Sequence, residues 1–178
     1  MVIFLGIIVL SLNQQNDSEK FKQDLDNAKN YAEVWTIVKN TVEYALCKRR
    51  GNMMLFLDDL PLQLGAYYPV GTNNIVLNRA LVDVVETSVS SKSTVNALVY
   101  NLLLHEYLHA LGEMSEIEVR RQVANVAKKS FGEDHQATVL ARKSPWVLLK
   151  DLPLAPLNAP KGVMEIVKDF ESTGKYIV

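Results

Sequence analysis

Apolar and polar residues alternate along this chain with periods that change from segment to segment. Between residues 18 and 48, Phe21, Leu25, Ala28, Tyr31, Ala32, Trp35, Val38, Val42, Tyr44 and Ala45 follow mostly three- and four-residue steps. That spacing predicts one long helix, or two with a bend near Asn30, covering one face of a core. Asn16, Asp17 or Ser18 are its candidate caps, and Tyr31 and Trp35 read as packing residues. Residues 53–57 then read as a strand ending at Asp58 and Asp59, and residues 75–78 as a second short strand after the turn Gly71-Thr-Asn-Asn74. Residues 80–89 predict a helix, and residues 90–94 a polar loop in which Ser93 or Thr94 caps the next helix.

The stretch from residue 95 to 111 differs from the rest. Val95, Ala97, Leu98, Val99, Tyr100, Leu102, Leu103, Leu104, Tyr107, Leu108, Ala110 and Leu111 leave it apolar nearly all round. A helix of that kind is buried. Gly112 is placed to stop it in the left-handed conformation. Residues 115–129 predict a further helix with Ser115 as its N-cap. After the Gly132 stop comes a Pro-rich connection, residues 152–160, and a last short helix at residues 162–170 with Val163, Ile166, Val167 and Phe170 as its apolar face. The apolar start, residues 1–10, is too short to span a bilayer and lacks the basic leader and small-residue site of a signal peptide. A buried strand or short packed segment is expected there. The elements together predict an α+β domain, a short mixed or antiparallel sheet packed on the buried helix with further helices around it. Residues 1–143 form the domain and residues 144–178 an extension packed on it.

Composition removes some functions. A net charge of −1, with no basic cluster beyond Lys48-Arg49-Arg50, argues against a nucleic-acid role. The single cysteine, Cys47, allows no disulfide framework and reads as a small core residue in a reducing, cytoplasmic setting. No membrane span is expected.

The buried helix carries the chemistry. It contains His105-Glu106-Tyr107-Leu108-His109. Residues four apart lie on one helix face, so two imidazole nitrogens can meet one ion. Two His and one Glu inside such a helix are costly unless something satisfies them, and a metal does so. Neutral imidazole suits zinc, and a third protein ligand leaves a fourth position for water. Glu106 can then reach that water as general base without binding the metal. A straight continuation of the helix cannot supply the third ligand, because eight residues span about 12 Å. The chain must turn at Gly112. Glu116, in the first turn of the next helix, is the first choice. Glu118 stands nearly as close, and His135 can fold back as a third ligand or as a transition-state donor. As bystanders, the two acids would compensate the helix N-terminus and His135 would be a surface loop residue.

The H-E-x-x-H motif resembles the zincin metallopeptidases. The match to the metzincin branch runs as far as Gly112, and Ser115 stands where its third ligand belongs. A Glu on a following helix looks more like the gluzincin branch, and the short spacing resembles the minigluzincins. The resemblance covers about residues 75–127. It implies one zinc ion, a peptide or protein substrate, hydrolysis with Glu106 as base, and an edge strand before the metal helix that aligns the substrate, for which residues 75–78 are the candidate. The alternative is a zinc- or peptide-binding module that keeps the fold and turns over little. The Pro-rich extension could lie along the cleft as an inhibitor or support self-association.

Overall fold

The structure, a computed structural model, describes residues 15–150 and 162–171. The expectations for residues 1–10 and for the Pro-rich stretch 152–160 therefore lie outside the described residues. Among the described residues the fold is α+β, with six α-helices, one short 3-10 helix at Pro145–Leu149 and one four-stranded mixed sheet.

The first predicted helical stretch is two helices, α1 over residues 15–26 and α2 over Tyr31–Leu46. Asn30 breaks it. Its backbone is extended, and its side chain accepts the Glu33 N–H, so it caps α2. Asn16, Asp17 and Ser18 already lie inside α1, so none of them caps it. At the other end of α2, Cys47 sits in the left-handed region (φ 53°) and is exposed. It is a helix terminator, not the core residue expected.

Strands β1 (Met54–Asp58), β2 (Ala66–Tyr67), β3 (Asn74–Asn78) and β4 (Glu165–Ile166) lie in the order β2-β3-β1-β4. β1 and β3 run parallel, and β2 and β4 flank them antiparallel. Parallel pairing needs a crossover, and here the connection carries β2 out to the far edge before β3 returns between β2 and β1. β3 is thus an interior strand, which corrects its assignment as a substrate-aligning edge. Its run Ile75, Val76 and Leu77 is buried throughout, as a strand covered on both faces requires. Fully buried Asn78 pins the crossover. Its Nδ2 donates to the carbonyls of Leu60, Pro61 and Leu64, and its Oδ1 accepts the N–H groups of Leu60 and Leu81.

Residues 162–170 are not a helix. Ile166 and Glu165 pair with Phe56 and Leu57 as β4, and Val167 N–H donates to the Leu55 carbonyl. Phe170 then stacks on Trp35, with ring centroids 4.8 Å apart. The outer edge of β1 offers unpaired backbone groups, which the short strand satisfies better than an isolated helical turn could.

Helix α3 spans Arg79–Ser88, and α4, Lys92–Ala110, forms the centre of the molecule. Ser91 caps α4 by accepting the Thr94 N–H, in place of Ser93 or Thr94. α4 is packed by α2, α3, β2, β3, α5 (Glu116–Phe131) and α6 (Gln136–Lys143). Several of its buried polar side chains are held by hydrogen bonds to neighbouring elements. Tyr100 shares a 2.8 Å hydrogen bond with Thr41, Asn96 donates to Leu25 and Ala28, and Asn101 donates to Ala97 and Ala137. No helix among the described residues is long and apolar enough to cross a membrane.

Candidate metal centre

The last two turns of α4 place Leu102, His105, Glu106 and His109 along one wall of a cavity of about 990 Å³. The helix then stops as its sequence dictates. Gly112 adopts φ +101°, its N–H donates to the His109 carbonyl, and Glu113 N–H donates to Leu108. These two bonds form a Schellman turn. Two residues later Ser115 caps α5 by accepting the Glu118 N–H. Glu116 therefore enters the first turn of α5 directly opposite the two His.

The three side chains meet. His105 Nε2 lies 3.2 Å from His109 Nε2, and the Glu116 carboxylate straddles both rings at 3.3 and 3.1 Å. Within the described residues this is the group of His, Cys, Asp and Glu that could hold a metal ion. Three atoms at vertices of a tetrahedron with bonds of about 2.0–2.1 Å stand about 3.3–3.4 Å apart. The two Nε2 atoms stand close to that spacing, and Glu116 turns one carboxylate oxygen to each ring, so the three side chains could hold one metal ion between them.

The turn also orients one of the two imidazoles. His109 Nδ1 lies 2.7 Å from the Glu113 carbonyl oxygen. A carbonyl can only accept, so Nδ1 carries a proton and Nε2 is the nitrogen turned toward His105 and Glu116. Burial holds the His105 imidazole below its ordinary proton affinity. Glu116 offsets this, while His109 and Arg120 add to it. Neutral imidazole is the form a metal binds.

Glu106 lies beside this group and outside it. It is 7 % exposed. Burial pushes its carboxyl up to about 7, with Glu116 adding to the shift, and with His109 and the Tyr68 backbone N–H opposing it. A carboxyl poised there can take and return a proton near neutrality.

Two predicted candidates lie elsewhere. Glu118 binds Arg121 and Gln122. His135 caps α6, its Nδ1 accepting the Ala137 N–H, while Nε2 faces Asp26 at 3.3 Å and the ring stacks on Phe131. Neither nitrogen is available to the centre, which removes His135 both as ligand and as donor.

Other contributors carry no motif. Arg50 donates to Thr72, Asn73 and the Ala110 carbonyl and reaches the Tyr68 hydroxyl, so it clamps the end of α4 to the loop after β2. β2 and its neighbours Gly65 and Tyr68 form the second wall of the cavity, and β2 is the edge strand beside the centre. A Cβ at Gly65 would stand 2.5 Å from Leu102, so this wall approaches α4 as closely as a glycine allows. The third wall is α5, where Glu116, Arg120, Val123 and Ala124 recur at helical spacing. That spacing was the available signal for Arg120.

Comparison with protein-family models, with curated proteins and with solved structures finds no match.

Proposed function

We propose that the chain is a zinc-dependent metallopeptidase of the gluzincin type. The reading rests above all on the convergence of His105, His109 and Glu116 on one point, with buried Glu106 beside them. Structural ion pairs do not require two imidazoles, a carboxylate and a second, desolvated carboxyl group in one cleft.

His105, His109 and Glu116 would hold the ion. When bound, zinc supplies Lewis-acid polarisation of the scissile carbonyl and lowers the pKa of water. Glu106 accepts the proton of the attacking water and returns it to the departing amine nitrogen. The Glu113 carbonyl keeps His109 in the binding tautomer. The free edge of β2 can take an extended peptide as an added strand, with Ala66 and Tyr67 supplying backbone groups. Of the two cavity tyrosines, Tyr68 donates its hydroxyl proton to Thr72, which leaves Tyr67 as the candidate donor to a developing oxyanion.

The deciding test is a peptide-library assay with zinc-loaded wild type and Glu106→Gln, alongside metal analysis. Cleavage by wild type that falls at least about 100-fold in E106Q, with zinc retained, supports the reading. Equal near-zero cleavage by both, with zinc retained, favours a zinc- or peptide-binding module. A protein that takes up no zinc returns the two His to ordinary core residues.

A further inference from the structure

The cavity around the centre is not electrostatically neutral. Arg120, Arg121, Arg142 and Lys143 line it, against the carboxylates of Glu106 and Glu116. Two of these cations are engaged at its rim. Arg121 pairs with Glu118 at 2.6 Å, and Arg142 pairs with Glu133. Arg120 and Lys143 have no acidic partner among the described residues. On a chain of net charge −1, this concentration of positive charge in one cleft is local.

Arg120 stands out by position. It follows Glu116 by one helical turn on the cavity face of α5, about 6 Å further along the axis. An i,i+4 acid–base pair on a helix ordinarily closes on itself. Here Glu116 is turned to the two imidazoles instead, which leaves the guanidinium to the cavity. An extended peptide advances about 3.3 Å per residue. A group held by Arg120 would therefore lie within about two residues of a bond cut beside Glu116.

We infer that the cleft selects peptides bearing a carboxylate within about two residues of the scissile bond, and that Arg120 is the residue that reads it. A guanidinium fork matches a carboxylate in shape and charge and rejects an amide or a cation. Lys143 adds a second positive charge to the same cavity. The carboxylate can belong to an Asp or Glu side chain or to the peptide's own C-terminus. This rests on the peptidase reading of the same site.

The test uses the zinc-loaded full chain and a peptide it cleaves. Glu, Gln or Lys is placed in turn at the two positions on either side of the cut bond, each with an amidated or free C-terminus. Glu over Gln at one position raises kcat/KM by about 10-fold or more, mainly through KM. Arg120→Gln erases that gain and Arg120→Lys keeps part of it. A gain of the free over the amidated C-terminus, with Glu and Gln equal, that is lost in R120Q assigns the α-carboxylate as the group recognised. A Glu preference that survives in R120Q, or no preference at all, overturns the inference. If no peptide is cleaved, the peptidase reading fails on its own. Fluorescence anisotropy of the same peptides on zinc-loaded Glu106→Gln then decides carboxylate recognition separately. Tighter binding of Glu than Gln peptides, or of free than amidated C-termini, that needs Arg120 supports it, and equal binding in both comparisons overturns it.

Discussion

His109 Nδ1 lies 2.7 Å from the carbonyl oxygen of Glu113, a residue on the far side of the glycine that ends its own helix. One turn thus does two jobs. It redirects the chain so that Glu116 meets the two His, and it presents the acceptor that sets the tautomer of one of them.

Gly112→Ala tests this coupling. A Cβ there would meet nothing within 4 Å, so the substitution adds no clash, only the strain of a side chain at φ +101°. That strain costs about 1–2 kcal/mol. If the turn shifts to relieve it, the Glu113 carbonyl moves off His109 and zinc affinity falls about 10–100-fold. Chelator competition measures this. Wild-type affinity in a protein of reduced stability would show that the turn supports the fold and not the ligand.

The third ligand is tested by separate alanine substitutions. Glu116→Ala should weaken zinc binding by orders of magnitude, because it removes the only anionic donor of the set. Glu118→Ala removes a surface contact to Arg121 and Gln122 and should leave affinity within a few-fold of wild type. Isothermal titration separates them. The reverse order would move the third ligand two residues along α5 and contradict the observed contacts.

The parts of this centre that were legible in the sequence are local. An all-round apolar helix must be buried, H-E-x-x-H spacing must share a face, and Gly112 followed by Ser115 sets where Glu116 begins. What was not legible depends on pairing between distant segments. Residues 75–78 read as a lone short strand, and nothing local says that β1 pairs with it in parallel or that β2 takes the edge. Asn78 reads only as the last residue of that strand, yet it anchors three carbonyls of the crossover. β4 is two residues long, and the apolar spacing of residues 163–170 suits a helix until the open edge of β1 is known. Cys47 and Arg50 have roles in backbone geometry and clamping that side-chain type does not announce.

The C-terminal strap is structural in its described part. Phe170 is 4 % exposed against Trp35, and Glu171 accepts hydrogen bonds from Trp35, Lys39 and the Asn52 backbone. Truncating a buried Phe to Ala costs about 3–5 kcal/mol. Phe170→Ala should therefore lower stability to denaturant by about that amount, and a chain ended at residue 144 should lose its cooperative fold. If that truncated chain instead stayed folded and cleaved peptides faster, the extension would be a cover for the cleft.

His135 carries a pH prediction that is independent of the metal. Its ring is stacked on Phe131, and burial holds its proton affinity below the ordinary value. Asp26 and Glu19 oppose the shift, and Lys22 adds to it. The neutral form is also the one that can cap α6, because Nδ1 must accept the Ala137 N–H. A group whose pKa is lowered by folding stabilises the fold above its unfolded pKa, about 6.5 for histidine, and that contribution is lost as pH falls through the folded value. Stability should accordingly fall on acidification from about pH 6.5, as the ring takes a proton, loses the cap and brings a charge into a buried stack. His135→Asn keeps a good cap and cannot titrate. Thermal midpoints of metal-free wild type and variant, measured at pH 7.5 and 5.5, should differ in slope, with the variant flatter. Parallel slopes would mean that the acid sensitivity arises elsewhere, and that His135 remains neutral and capped across the range.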